Sequence, residues 1–227
     1  MNTTRLRYKF LACVITGLLL IPVAANSSDF ISLADREEVL IAQGEIIVRE
    51  IETATKNGRT FEAIGIINAP RSTVLQVLSE YEKYPEFMPN VSQIEIVGQE
   101  HNESIVNYIL SLPLGKKKKY RLKLTVTEPE SHSSLIEWQL QKWAELKTEE
   151  TIRDTSGFWR LEEKTKSRTL VLYHVYTDPG PIPFGLGWIV DVLSKNSVPE
   201  TLLQTKARSE EITRNNASRP EIIKHRK

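Results

Sequence analysis

The sequence predicts an α+β fold in which a curved antiparallel sheet wraps around a long C-terminal helix. The first observation is that residues 91–177 contain a succession of strand patterns separated by turn residues, without a helical pattern. The second is that a strand pair and one helix precede this run, and a long helical segment, 197–214, follows it. Because a sheet must bury its apolar face, we expect the last helix to lie against the sheet.

The composition of the 227-residue chain excludes several classes of protein. Hydrophobic residues make up 40% and charged residues 26% of the chain, and the formal net charge is +1. These values are ordinary for a globular protein and exclude a collagen-like, disordered or disulfide-framework chain. A nearly neutral chain also lacks the bulk basicity of many nucleic-acid-binding proteins, so we expect no nucleic-acid partner.

Residues 1–25 have the pattern of a secretory signal peptide. Three basic residues precede an apolar stretch, 10–25, whose last residues are small. The sequence therefore predicts an exported protein, either periplasmic or secreted, and the alternative is a retained N-terminal membrane anchor. Cleavage after Ala25 would remove Cys13, the one cysteine of the chain, and leave a domain without disulfides or thiolate metal sites.

The remainder of the chain divides into three parts by its patterning. An N-terminal segment, 26–43, has apolar residues at a spacing compatible with a short helix. The domain itself, 44–213, contains the predicted strands, the first helix and the long last helix. A polar tail, 214–227, carries no periodic pattern, as is common at the ends of chains.

A strand pair and a helix open the domain. Residues 44–53 and 59–68 are the two predicted strands. Pro70 then begins a helix, because the missing N–H of a proline does not matter in the first turn. The pair Tyr84-Pro85 is expected to end that helix, since the residue before a proline is disfavoured in the helical conformation.

The later strands are predicted from alternation of apolar and polar residues. The clearest is 120–126, in which the even positions are apolar and the odd positions are charged or polar. Residues 135–141 alternate in the same way. Another strand is expected over 149–161, where Gly157 marks a bend or a bulge. The last strand, 168–177, is apolar at both odd and even positions.

Several stretches of the sequence resemble a known superfamily. They are residues 61–70, FEAIGIINAP, and residues 81–89, YEKYPEFMP, with shorter stretches at 157–161, 173–180 and 197–200. These stretches resemble the START-like, or SRPBCC, superfamily, which has the helix-grip fold. Within it, they are most similar to the branch of polyketide cyclase/dehydrase and coenzyme Q-binding proteins. The resemblance covers residues 44–212.

The resemblance implies a cavity between the sheet and the last helix that holds a hydrophobic or lipid-like ligand. On this basis we expect an exported binding or transfer protein. Two alternatives stay open: a cyclase- or hydrolase-type enzyme that uses the same cavity, and an envelope-associated interaction protein without a ligand. We assign no catalytic residue, cofactor or metal, because histidines and carboxylates do not occur at the spacings of metal sites or catalytic dyads.

The expected ligand-binding residues are mostly aromatic and lie on the strands or near the last helix. They are Tyr84, Phe87, Trp138, Trp159, Tyr173, His174, Tyr176, Trp188 and Val192. The apolar groups would remove the ligand from water, and a tyrosine hydroxyl or His174 would bind its polar end. Which way His174 faces stays open, because its strand is apolar on both sides.

The sharpest charge feature is a run of four lysines at the start of a predicted strand: Lys116, Lys117, Lys118 and Lys119. Together with Arg121 and Lys123 they place six positive charges within eight residues. Such a cluster suits an anionic membrane surface, to which each basic residue contributes about 1 kcal/mol. The alternative is a charged edge strand that prevents pairing with other sheets.

Overall fold

The helices and strands follow each other in the order predicted from the sequence. A computed structural model of the protein describes residues 31–52, 58–128, 132–180 and 195–218. The helices in these ranges are α1 (Asp35–Ala42), α2 (Arg71–Ser79), α3 (Tyr84–Phe87) and α4 (Ser197–Ala217). The strands are β1 (Ile47–Ile51), β2 (Arg59–Ile67), β3 (Val91–Glu100), β4 (Glu103–Ser111), β5 (Lys117–Thr127), β6 (Ser133–Gln141), β7 (Asp154–Thr165) and β8 (Arg168–Asp178). The predicted signal peptide, 1–25, lies outside the described residues.

These eight strands form one antiparallel sheet in the order β1-β2-β8-β7-β6-β5-β4-β3. After β2 the chain passes through α2 and α3 to the far edge of the sheet, which is β3. It then returns strand by strand until β8 pairs with β2. Short connections suffice for this return, because each strand is antiparallel to the one before it. The predicted fold class, a curved antiparallel sheet with a long C-terminal helix, is confirmed.

α4 packs on one part of the inner face of the sheet. Its buried residues are Val198, Leu202, Thr205 and Ser209, which lie three or four positions apart and so form one stripe. The helix contacts β2 and α2. A side chain added at Gly65 of β2 would lie 3.5 Å from the Leu202 side chain, which shows how closely the helix approaches the strand.

α1 covers the outer face of β2 and β8. Ile41 of α1 is buried with Ile64, Ile66 and Leu170 in a second, smaller hydrophobic cluster. β2 is therefore buried on both faces for most of its length. Residues 31–43, which the sequence predicted as a separate segment, pack on the sheet and belong to the same unit as the rest of the described chain.

The helix predicted to begin at Pro70 ends earlier than expected. α2 stops at Ser79, and Glu80 has a non-helical backbone with φ −83° and ψ 64°. A 3-10 turn, Tyr81–Lys83, then leads into α3. Pro85 lies in the first turn of α3, where a proline is tolerated, so it does not end a helix as the sequence had suggested.

A loop, 142–153, occupies part of the segment that was predicted as a strand from residue 149. β7 begins only at Asp154. The loop lies against β5, whose pairing with β6 begins at Arg121. Trp143 of the loop stacks on the guanidinium of Arg121, 5.0 Å from the ring centroid. Ile152, near the end of the loop, is buried. The loop therefore covers the start of β5, which β6 does not reach.

We expect Leu202→Ala to lower the free energy of unfolding by about 2–5 kcal/mol, because it leaves a cavity beneath α4. Leu202 is 1% exposed, whereas its neighbour Leu203 is 46% exposed. Leu203→Ala is the matched control, and its effect should stay within about 0.5 kcal/mol. Urea unfolding followed by circular dichroism measures both values. Equal effects of the two substitutions would contradict the described packing of α4.

Candidate functional site

A cavity of about 140 Å³ lies between the inner face of the sheet and the first turns of α4. Aromatic rings form much of its wall: Tyr84, Tyr108, Tyr120, Trp138, Trp159 and Tyr173. Aliphatic residues of the lining include Leu110, Leu122, Leu124, Ile136, Ile152 and Val198. Polar residues of the lining are Asn90, Thr155, Thr177, Ser197 and Thr201. The cavity is thus predominantly apolar, with uncharged polar groups at a few positions.

Three aromatic residues on neighbouring strands form one wall. Trp159 of β7 and Tyr173 of β8 are opposite each other in the strand register. Their rings stack with centroids 4.1 Å apart. Trp138 of β6 lies 5.8 Å from the Tyr173 ring. The strand register and these ring contacts place all three rings on one side of the sheet.

The Trp138 ring packs directly against the backbone of Gly157. A Cβ atom at this position would lie 2.4 Å from the Trp138 ring and 2.2 Å from the backbone oxygen of His174. Both distances are shorter than van der Waals contact, so only a residue without a side chain fits here. The strand register is regular at Gly157, which pairs with Val175. The strand therefore has no bulge at Gly157, and the glycine makes room for an indole.

Tyrosines form the opposite wall. Tyr108 of β4 and Tyr120 of β5 are register partners, and their rings stack in parallel with centroids 5.2 Å apart. Tyr84 lies 6.3 Å from Tyr108 and donates a hydrogen bond to the carbonyl of Leu78, 2.6 Å away. Burial raises the pKa of these three tyrosines above the ordinary value, so they remain neutral at physiological pH.

The structure places the predicted ligand-binding residues in different settings. Tyr84, Trp138, Trp159 and Tyr173 line the cavity. Phe87 is not among the lining residues and instead packs edge-on against Tyr84, with centroids 5.6 Å apart. Trp188 and Val192 lie outside the described residues. Tyr108 and Tyr120 were not among the predicted ligand-binding residues, although the alternation of 120–126 already put Tyr120 on the apolar face.

His174 and Tyr176, also predicted to bind the ligand, lie on the outer face of β8. Strand alternation requires this, because Tyr173 and Val175 face the cavity. The His174 ring stacks on Phe158, with centroids 4.9 Å apart. The placement of both residues is therefore corrected: neither side chain lines the cavity.

A chain of polar and ionic contacts on this outer face links β8 to α1. Nδ1 of His174 lies 3.0 Å from the carboxylate of Glu62, and a guanidinium nitrogen of Arg49 lies 3.5 Å from the other oxygen. Arg49 also pairs with Glu37 of α1. The hydrogen bond from His174 holds the pKa of Glu62 below its ordinary value, although burial acts in the opposite direction. These charges position α1 and do not reach the cavity.

The lysine run lies at the hairpin between β4 and β5. Its tip is Leu114, which is 77% exposed and has a left-handed backbone with φ 60°. Lys116 and Lys117 are exposed, and Lys119 is half-buried. Lys118 differs, because its ammonium donates to the carbonyls of Glu149 and Thr151, at 3.2 and 2.5 Å. These two hydrogen bonds tie Lys118 to the 142–153 loop, and burial lowers the pKa of its ammonium.

The described residues that line the cavity are uncharged. Among them there is no aspartate, glutamate, histidine, lysine or arginine. General acid–base catalysis needs a group that gains or loses a proton near the working pH, and neutral tyrosines with raised pKa values do not supply one. The described lining can therefore exclude water and offer hydroxyl groups.

The described ranges contain no group of three or more His, Cys, Asp or Glu residues placed to hold a metal ion. They also contain no helix that is long and apolar enough to span a membrane.

Comparison with known families identifies the domain. Residues 67–191 match the model of a family described as polyketide cyclase / dehydrase and lipid transport. The chain belongs to this family. The match spans more than half of the sequence and includes α2, α3 and the strands β3 to β8, so it contains most of the elements that surround the cavity. A search of curated proteins gave no match to this sequence.

Solved structures with the same fold include lipid transfer proteins and cyclases. A STAR-related lipid transfer protein from Xanthomonas axonopodis is 18% identical, with a TM-score of 0.61 over 73% of this chain and 93% of its own. Human StAR-related lipid transfer protein 5 is 12% identical, with a TM-score of 0.61 over 74% and 83%. The Zhui aromatase/cyclase of a Streptomyces species is 16% identical, with a TM-score of 0.55 over 68% and 94%. At these identities the likeness establishes the START-like helix-grip fold.

Proposed function

We propose that the protein is an exported carrier that binds a hydrophobic, lipid-like ligand in the cavity between the sheet and α4. The observation that carries this proposal is a cavity walled by six aromatic residues, with no charged side chain among its described lining residues. Apolar surface that leaves water on entering such a space drives binding, and aromatic rings offer large contact areas. The family, whose description includes lipid transport, supports the same proposal.

The size of the cavity limits what enters it. An apolar cavity of about 150 Å³ accommodates a molecule of the size of benzene, whereas typical ligand pockets measure roughly 300–1,000 Å³. The 140 Å³ found here therefore fits one ring or a short alkyl segment. A larger ligand would insert its apolar end and extend past the polar residues Asn90, Thr177 and Ser197, or would widen the cavity as it enters.

The enzyme alternative receives less support. A cyclase or hydrolase that uses this cavity would need ionisable groups that converge on the substrate. His174 and Glu62, two residues of the right chemical type, contact each other on the outer face of the sheet. The likeness to an aromatase/cyclase concerns the fold, which hosts several activities.

Export is part of the proposal and depends on residues 1–25. Their basic, apolar and small residues follow in the order that a signal peptidase recognises. N-terminal sequencing of the mature protein checks this, and we expect the mature chain to begin at Asn26. A mature protein that begins at Met1 would instead favour the N-terminal anchor.

A larger side chain on α4 that projects into the cavity should weaken ligand binding. Thr201 lines the cavity, so Thr201→Phe places a ring inside it. We expect the affinity for the single-ring probe ethylbenzene, which the cavity is large enough to hold, to fall at least about tenfold, a difference of about 1.4 kcal/mol. Leu203→Phe, on the exposed side of the same helix, is the matched control and should bind as the unmodified protein does. A titration followed by tryptophan fluorescence measures all three proteins, and urea unfolding confirms that each is folded.

Native mass spectrometry of the unmodified protein supplies the second readout. We expect a co-purifying hydrophobic molecule in the unmodified protein and in Leu203→Phe, and its loss in Thr201→Phe. Equal probe binding by all three proteins, or saturable binding by none, would contradict a ligand site in this cavity.

We further propose that the β4–β5 hairpin docks on an anionic membrane surface. The exposed Leu114 side chain at its tip stands beside the exposed ammonium groups of Lys116 and Lys117. An apolar tip flanked by positive charges matches the boundary between lipid headgroups and acyl chains. Leu110, which lines the cavity, pairs in register with Lys118, so the hairpin adjoins one end of the cavity.

The alternative role of the lysine run, as a charged edge strand, does not fit the sheet. β5 lies between β4 and β6, and the edges of the described sheet are β1 and β3. The start of β5, beyond the reach of β6, is covered by the loop, since the N–H of Lys119 donates to the Glu150 carbonyl at 2.8 Å. The run therefore does not protect an open edge.

Neutralising Lys116, Lys117 and Lys119 to glutamine should weaken binding to vesicles that contain phosphatidylglycerol. At about 1 kcal/mol for each charge, the loss is about a hundredfold for the triple variant. The matched control is the same change at Lys164, Lys166 and Arg168, which are exposed at the β7–β8 turn, the opposite end of the sheet. Vesicle co-sedimentation at low and high salt measures both. Equal losses in the two triple variants would refute a specific docking surface.

A further inference from the structure

Three of the tyrosine hydroxyls in the cavity have no hydrogen-bond partner among the described side chains and backbone. They belong to Tyr108, Tyr120 and Tyr173. Neighbouring tyrosines behave differently, because Tyr84 donates to the Leu78 carbonyl and Tyr81 bonds to Ser104. Among the described residues, the fully buried side-chain atoms without a hydrogen-bond partner are Nε of Arg71 and Oγ of Ser209, so the three tyrosine oxygens are not fully buried. They are therefore accessible, and all three belong to residues that line the cavity.

A hydroxyl in an apolar wall is unfavourable unless a molecule in the cavity supplies the hydrogen bond that the protein does not. Phenylalanine would fill the same volume at each of these positions without that cost. Three such hydroxyls around one cavity therefore indicate a molecule that supplies the missing partners. Tyr108 and Tyr120 come from neighbouring strands, whereas Tyr173 comes from β8, three strands away from β5.

The three tyrosines line the same cavity from two groups of stacked rings. The Tyr108 and Tyr120 rings stack in parallel, and Tyr173 stacks on Trp159 on the other wall. Burial, and to a smaller extent the nearby Tyr173, raises the pKa of both Tyr108 and Tyr120. A polar atom placed between the two walls would therefore meet hydroxyl groups from both.

The absence of charged side chains from the described lining determines which polar groups of a ligand can bind there. Burial raises the pKa of all three tyrosines, so they stay protonated and can donate hydrogen bonds at physiological pH. The described lining contains no lysine, arginine or histidine to compensate an anion. Burying a carboxylate or phosphate there would be costly, whereas a carbonyl or hydroxyl oxygen would be satisfied by neutral donors.

We infer that Tyr108, Tyr120 and Tyr173 form a hydrogen-bonding site for a ligand oxygen atom inside the cavity. This site selects an uncharged, otherwise apolar molecule that carries a carbonyl or hydroxyl group. This inference rests on the proposed ligand binding and specifies the class of ligand. Anionic lipids would have to leave their charged headgroup outside the cavity.

Binding of three probes of similar size tests the site. Acetophenone carries a carbonyl, ethylbenzene replaces it with a methylene group, and benzoate adds a negative charge. We expect the unmodified protein to bind acetophenone about tenfold more tightly than ethylbenzene, which corresponds to one or two net hydrogen bonds. Benzoate should bind more weakly than either. Titrations followed by NMR of the tryptophan indole N–H groups measure all three affinities.

The double substitution Tyr120→Phe with Tyr173→Phe removes two hydroxyls and leaves the rings in place. We expect the affinity for acetophenone to fall to that for ethylbenzene, while the affinity for ethylbenzene itself is unchanged. Tyr176→Phe, on the outer face of the same strand as Tyr173, is the matched control and should leave both affinities unchanged. Because ethylbenzene binding requires the intact cavity, it also shows that the double variant is folded.

The outcomes separate this inference from the proposed function. Equal binding of ethylbenzene and acetophenone by the unmodified protein, or tightest binding of benzoate, would contradict the hydrogen-bonding site formed by the tyrosines. The proposed binding of hydrophobic ligands in the cavity would not be contradicted by either result. If the double variant keeps the preference for acetophenone, the assignment to these tyrosines is wrong. If the unmodified protein binds none of the probes, both proposals fail.

Discussion

A single helix is too narrow to cover the sheet, and this mismatch creates the space on which the proposed function depends. Strands about 4.8 Å apart make an eight-stranded sheet roughly 34 Å wide along its curve, whereas a helix with its side chains is about 10–12 Å across. α4 packs mainly on β2 and also contacts β1 and β8. α2 contacts β6 to β8, and α3 contacts β3. Aromatic rings fill much of the remaining concave surface, and 140 Å³ stays open.

The two faces of the sheet have separate chemistry. The inner face presents indole and phenol rings, whose hydroxyls stay neutral, to the cavity. The outer face of β2 and β8 carries ionic contacts among His174, Glu62 and Arg49, which hold α1 against the sheet. Strand alternation enforces this separation, because one residue cannot serve both faces. As a result, the cavity is suited to an uncharged ligand even though a quarter of the residues are charged.

The sequence showed which face of β5 is apolar because its other face is polar, although Tyr120 was not among the predicted ligand-binding residues. Charged residues between Tyr120, Leu122 and Leu124 make the alternation visible, so the inward residues could be identified. β8 gives no such signal, because α1 buries Leu170 and Leu172 on its outer face. With both faces apolar, the sequence could not show that His174 points away from the cavity.

Other features depended on contacts between strands that no single segment reveals. Gly157 is required by an indole from β6, which lies next to it only after β6 and β7 have paired. Lys118 looked like one more charge of the run, yet its ammonium binds carbonyls of a loop some thirty residues later in the chain. In each case the partner is distant in sequence, and local pattern carries no information about it.

A crystal structure determined under xenon pressure tests the open cavity most directly, because xenon enters apolar spaces of this size without needing a specific chemical group. We expect a xenon atom between the Trp159 and Tyr173 rings on one side and the Tyr120 ring on the other. Side chains that occupy this space, with no xenon bound there, would contradict the central claim that the sheet and α4 enclose a ligand-sized hollow.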